Sequence, residues 1–90
     1  MYCAISSIQL SNGIQKIDAS LFIGCSYLGS VTLPDTIERI SGLSFSHCKS
    51  LYRITYKGKT SQWNEITKDP YWDNETGNYS IYCTDGTISK

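Results

Sequence analysis

The sequence is short of the residues that most site chemistries need. His47 is the one histidine, and the four cysteines, Cys3, Cys25, Cys48 and Cys83, include no CxxC pair. That leaves no plausible zinc ligand set. Net charge is also lacking, because eight Lys and Arg balance eight Asp and Glu. A neutral chain has little of the non-specific attraction that brings basic proteins to nucleic acid or anionic membranes. The opening MYCAISSIQLSNG has no basic n-region or sustained apolar h-region, and no later segment approaches membrane-spanning length. As written, the chain is expected to be cytoplasmic; as a fragment of a longer chain, it is expected at the cell surface or secreted. Catalytic constellations are missing too. Cys48 follows His47, but neighbours on an extended chain point to opposite sides, so an inward thiol and an outward imidazole are expected rather than a dyad. Asp69, Asp73 and Glu75 lack the repeated oxygen-ligand spacing of a calcium loop and are expected on a solvated loop. No enzyme activity, metal or cofactor is therefore expected. Two short glycosylation patterns, Asn74-Glu75-Thr76 and Asn78-Tyr79-Ser80, matter only in a eukaryotic secreted setting.

What the chain does have is a repeat. Residues 8–30 and 31–53 carry the same apolar pattern at an offset of 23 positions (31 − 8): Leu10 falls on Leu33, Ile14 on Ile37, Ile17 on Ile40, Phe22 on Phe45, Cys25 on Cys48 and Leu28 on Leu51. A unit of this length cannot bury its own apolar side, so successive units must stack into a solenoid. Ninety residues bury only about 60% of the unfolded chain's surface, so each coil matters to stability. Seven tyrosines and two tryptophans can either close so small a core or serve as binding anchors.

Each unit opens with an alternating run: Ile8-Gln9-Leu10, Val31-Thr32-Leu33, then Ile54-Thr55-Tyr56. Period-two alternation predicts strands, and identical runs at fixed offset predict a parallel sheet in register. Ile8, Val31 and Ile54 form one inward ladder, and Leu10, Leu33 and Tyr56 another. Turns follow at Ser11-Asn12-Gly13 and at Pro34-Asp35-Thr36. A second short extended segment is expected near 38–40, then a tight turn or 3₁₀ piece over 42–48. The return half places Ile14, Ile17, Leu21 and Phe22, or Ile37, Ile40, Leu43 and Phe45, at mixed spacings of three and four too short for a stable helix, and Phe22 and Phe45 are expected to stack as the main filling of the solenoid. Cys25 and Cys48 form a ladder of small buried side chains, continued approximately by Cys3. A disulfide between Cys25 and Cys48 is geometrically allowed but not required.

The repeat pattern breaks at Lys57, where a cap must cover the last coil. Thr60-Ser61 is positioned to N-cap a helix running through Ile66, with Trp63 and Ile66 on one face. The run 79–83 alternates like a strand, and Asp85-Gly86 is a turn signal leading to Thr87-Ile88. The organisation is a partial coil at 1–7, coils at 8–30 and 31–53, a last strand at 54–56, and a cap at 57–90.

The segment LPDTIERISGLSFSHCKSLYRITY resembles the BspA-like leucine-rich repeat family through Leu33-Pro34, Ile37, Ile40, Phe45, Cys48 and Leu51. Departures are Ser44 and Leu21 where Ala is usual, Ser41 and Asp18 where Gly is usual, and Ser11 in place of Pro. The tail is similar to the end cap of such repeats at Tyr56, Gly58, Gln62, Trp63, Ile66, Trp72, Cys83, Asp85 and Gly86. The resemblance implies an α/β repeat fold, mostly β: a short leucine-rich-repeat solenoid of parallel strands, closed by a short helix and a β-hairpin. It also implies a non-enzymatic binding or adhesion module of a host-associated microbe.

For such a module the expected partner is another protein. The candidate contact residues are the outward strand positions Gln9, Ser30, Thr32, Arg53 and Thr55, beside Ser7, with Tyr52 and Lys57 at the end nearest the cap. Tyr and Arg are types enriched at binding hot spots. Arg53, Lys57 and Lys59 are a local basic cluster with few interleaved aromatics, which argues against nucleic acid. Two alternatives stand beside a general interaction module. One is a small cytosolic inhibitor, phage or mobile-element encoded; the other is a fragment of a bacterial surface adhesin. Ile5, Ile8 and Leu10 at the N-terminal edge offer a surface for homodimerisation.

Overall fold

The computed structural model describes residues 5–18 and 21–89. Cys3 lies outside the described residues. In chain order the elements are β1 (Ser7–Gln9), β2 (Lys16–Ile17), β3 (Ser30–Leu33), β4 (Arg39–Ile40), β5 (Arg53–Tyr56), α1 (Thr60–Glu65), β6 (Thr67–Lys68), β7 (Ser80–Cys83) and β8 (Gly86–Ser89). They build two sheets, β1-β3-β5-β7-β8 and β2-β4-β6, and every pairing is parallel except β7 with β8.

The offset read from the sequence is the register of the sheet. Ser7, Ile8 and Gln9 face Ser30, Val31 and Thr32, and these face Arg53, Ile54 and Thr55. Because side chains alternate along a strand, this register puts Val31, Leu33, Ile54 and Tyr56 into the core. Ile8 and Leu10, in the edge coil, are half-buried. The return path forms the second parallel ladder, Lys16 with Arg39 and Ile17 with Ile40, where Ile17 and Ile40 are completely buried. Between the sheets, Phe22 and Phe45 stack with ring centroids 5.2 Å apart and planes 16° from parallel. Cys25 and Cys48 are buried thiols. Cys48 Sγ donates to the Phe22 carbonyl at 3.1 Å, bonding neighbouring coils.

The 42–48 segment is a succession of hydrogen-bonded turns rather than a 3₁₀ helix. Its backbone is held by the coils on either side. Phe22 and Gly24 N–H groups donate to the carbonyls of Ser44 and Ser46, and those of Phe45 and His47 donate to Trp72 and Asn74. Gly24, His47 and Glu75 follow one another at this point in successive coils, and all three have positive φ. Leu43 and Tyr71 share that conformation, and the Leu43 N–H donates to the Tyr71 carbonyl. The left-handed turn aims the Leu43 side chain outward, where it is exposed.

The break at Lys57 interrupts the sequence pattern but not the backbone path. The expected short helix and hairpin are present, and the strands among them follow the path of a further coil. β7 pairs in parallel with β5 at an offset of 27 (80 − 53), and β6 with β4 at 28 (67 − 39). The additional residues are taken up by α1. Its N-cap is Lys59, not Thr60 or Ser61. Thr60 is already helical, and its N–H donates to Asp85 Oδ1 at 2.8 Å while its hydroxyl donates to Oδ2 at 3.3 Å. A carboxylate from the β7–β8 turn thus does what a local hydroxyl was expected to do. At the other end, Lys68 Nζ donates to the carbonyls of Trp63 and Ile66 at 2.7 and 3.2 Å. Trp63 and Ile66 are both buried, as their spacing predicts. The interior aromatics continue from Phe45 to Trp72, Trp63 and Tyr56, with centroid separations of 6.1, 6.1 and 5.5 Å.

Truncating Phe45 to Ala removes the ring between Phe22 and Trp72 and is expected to cost roughly 3–5 kcal/mol. This would appear as a large fall in the urea midpoint, and an unchanged midpoint would refute the stack. Asp85→Ala leaves a helix N-terminal N–H without its acceptor and should cost about 1 kcal/mol. Thr60→Ala, which keeps that N–H bond, should cost less in the same denaturation experiment.

Candidate functional site

The outer face of the five-stranded sheet brings the sequence-selected positions together. Gln9, Ser30, Thr32, Arg53 and Thr55 occupy outward positions on three adjacent strands, fixed by the pairs Gln9 with Thr32, Ser30 with Arg53, and Thr32 with Thr55. Gln9 and Arg53 are exposed, whereas Ser30, Thr32 and Thr55 are half-exposed between their neighbours. Lys57 is exposed just beyond β5.

Two contacts order the centre of this face. Arg53 lays its guanidinium over the Tyr82 ring, Cζ to centroid 4.2 Å, and its Nε donates to Thr55 Oγ1 at 3.2 Å. A long flexible side chain is thereby held flat in one orientation. Tyr52 is 62% exposed, yet its ring edge rests on the Gly29 backbone: a Cβ on Gly29 would come within 2.9 Å of Tyr52 Cε1. Glycine at this position is what lets the ring lie down. Tyr82, 38% exposed, is the member that sequence reasoning missed. The alternation through Ser80, Ile81, Tyr82 and Cys83 marks it as outward, but it joins this face only through the 27-residue offset, which the 23-residue comparison does not detect.

With the geometry of the coils and their face established, comparison with known proteins identifies the repeat. A family model described as "BspA type Leucine rich repeat region (6 copies)" matches residues 1–73. The chain belongs to the BspA-type leucine-rich repeat family. No curated protein and no solved structure matches it. The family supports a protein-interaction or adhesion-type module, and its repeats are generally non-enzymatic.

Elsewhere in this BspA-type chain, His47, Cys48 and the carboxylates of the 69–75 loop are engaged in structural contacts. His47 and Cys48 diverge: the imidazole Nδ1 lies 3.0 Å from Glu75 Oε2, while the thiol points to the Phe22 carbonyl. The three acidic residues of the 69–75 loop each have a separate partner. Asp69 pairs with Arg39 at 2.9 Å, Asp73 accepts from the Tyr79 hydroxyl at 2.6 Å, and Glu75 meets His47. Among the described residues no group of His, Cys, Asp and Glu could hold a metal ion, and no helix is long and apolar enough to cross a membrane.

Among the described residues the tyrosines and tryptophans divide by position, with Trp72 half-buried against the core. Tyr56, Trp63 and Tyr79 are buried and close the core, while Tyr27, Tyr52, Tyr71 and Tyr82 are exposed. At the first coil, Ile5, Leu21 and Ile23 are exposed. Leu21 and Ile23 stand 23 positions before Ser44 and Ser46, whose small side chains are buried between coils. Ser44 Oγ, for example, donates to the carbonyls of Ser41 and Asp18.

Burial, and then the Asp73 hydrogen bond and charge, hold the Tyr79 phenol protonated far above its ordinary value near 10. The folded chain resists losing that proton and the unfolded chain does not. Its contribution to stability is therefore complete below about pH 10 and is lost as pH rises beyond it. Urea midpoints measured on both sides of that pH should fall at the alkaline side, and Tyr79→Phe should show a smaller fall. Identical pH profiles for the two proteins would contradict this assignment.

Proposed function

We propose that this chain is a protein-interaction module whose partner sits on the outer face of the five-stranded sheet, centred on Tyr52, Arg53 and Tyr82. The observation that carries the reading is the Arg53 guanidinium stacked on Tyr82 and tied to Thr55. An arginine already confined to one orientation loses less freedom when a partner docks on it, so more of its interaction appears as affinity. Tyr and Arg are also the types that dominate binding energy at interfaces. Gln9, Ser30, Thr32, Thr55 and Lys57 surround them as a polar rim whose hydroxyl, amide and ammonium groups can form hydrogen bonds with a partner or with bridging water.

The acidic loop contributes no competing site, since its carboxylates are paired within the fold. The neutral balance of charge suits a protein surface better than a polyanion.

Panning a displayed peptide and protein library against the immobilised full chain should yield binders that depend on this face. Tyr52→Ala, Arg53→Ala and Tyr82→Ala should each weaken such a binder by about 2 kcal/mol or more. Lys16→Ala, on the second sheet, should leave it unchanged. Binders that tolerate all three sheet-face substitutions would place the interaction elsewhere.

A further inference from the structure

The extra residues in the last coil also open a cavity. Between the first two coils the turns are stitched together: Thr36 Oγ1 donates to the Ile14 carbonyl at 2.7 Å and accepts from the Gly13 N–H at 3.1 Å. One coil later, 23 positions on, Lys59 replaces Thr36 and the chain leaves the stack as α1. Between that helix and the 35–38 segment lies an open pocket of about 390 Å³, with the Asp35, Glu38 and Glu65 side chains exposed at its walls. This is within the size range of small-ligand sites.

Its lining is chemically one-sided. Asp35, Glu38 and Glu65 bring three carboxylates and no cationic side chain lines it, while Ile37 and Ile66 supply apolar surface. A second observation is independent of the carboxylates. Tyr56, which also lines the cavity, is only 2% exposed, and its hydroxyl forms no hydrogen bond among the described residues. Its ring end sits where Gly58 leaves room, since a Cβ there would stand 2.6 Å from Cε2 and 2.8 Å from Cζ. Burial, and then the Asp35 charge with smaller effects from Cys83 and Glu65, push the phenol's pKa upward. The hydroxyl therefore stays protonated and offers its oxygen to a donor.

The carboxylates are not grouped to hold a metal ion, so a compact divalent cation does not fit. An extended cation with several N–H donors and an apolar stem matches the lining. We propose that this cavity is a receptor for an alkylammonium or guanidinium group, its stem against Ile37 and Ile66 and its N–H donors shared by Asp35, Glu65 and the Tyr56 oxygen. The cation is either a free amine or a Lys or Arg side chain of a protein, and the site is separate from the sheet face.

Two-dimensional amide NMR of the full chain tests this with three probes: n-butylammonium chloride, a Gly-Gly-Lys-Gly-Gly peptide, and n-butanol as the neutral isostere. Saturable shifts confined to residues 35–38 and 56–66 are expected with at least one cation and not with butanol. A tighter peptide identifies a protein side chain as the guest; a tighter amine identifies a free small molecule. Asp35→Asn and Glu65→Gln should each weaken binding roughly two- to fivefold. Tyr56→Phe, which keeps the buried ring, should also weaken it while leaving the urea midpoint near wild type. Tyr52→Ala and Arg53→Ala should leave the titration unchanged, which separates this site from the sheet face. The proposal is overturned if neither cation saturates, if butanol gives equal shifts, if the shifts spread to the acidic loop at 69–75, or if the Asp35 and Glu65 variants bind as wild type.

Discussion

Coil-to-coil backbone hydrogen bonding in strict register is the constraint on which the rest of this molecule depends. A coil of this length has too little interior to bury its own apolar side chains, and its backbone polar groups find partners in neighbouring coils. Both needs are met together when equivalent residues lie side by side. Ser30 then meets Arg53 as Ser7 meets Ser30, and the N–H groups of Phe22 and Phe45 reach carbonyls one coil further on. A slip of one residue would expose Val31 and Ile54 and bury Thr32 and Arg53. The Phe22–Phe45 stack and the Cys48 bond to the Phe22 carbonyl follow from the same register.

The last coil shows how far this constraint tolerates change. Its offsets widen to 27 and 28, and the surplus leaves the stack as a single short helix. Ends of so short a helix are expensive to leave unsatisfied, and both are held from outside the helix, by Asp85 at the start and Lys68 at the finish. Trp63 and Trp72 then extend the phenylalanine stack and seal the core. The departure of the helix also leaves the cavity beside Tyr56, so one insertion both closes the solenoid and creates a concave surface.

Much of the candidate binding face was legible in the chain. Alternation assigned Gln9, Thr32 and Thr55 to the outside, and the offset placed Ser30 beside Arg53. Tyr82 was not legible, because its place beside Arg53 depends on how many residues the inserted helix absorbs, a quantity without periodicity. The cap of α1 was misread for a similar reason. Thr60 and Ser61 are good capping residues locally, but Thr60 is already helical and its own N–H is taken by a carboxylate 25 positions away. Leu43 is exposed in a left-handed turn that the apolar pattern does not announce.

Sequence alone determined the repeat, its length, the inward ladders and the family, because each is a periodic property and periodicity survives when every intervening residue changes. Tertiary structure decided the path of the last coil, the partners of Arg39, Arg53, Lys68, Asp73, Glu75 and Asp85, and the two concave or ordered surfaces. Those depend on contacts between residues at irregular separations, where side-chain reach and competition for a few donors and acceptors select the outcome.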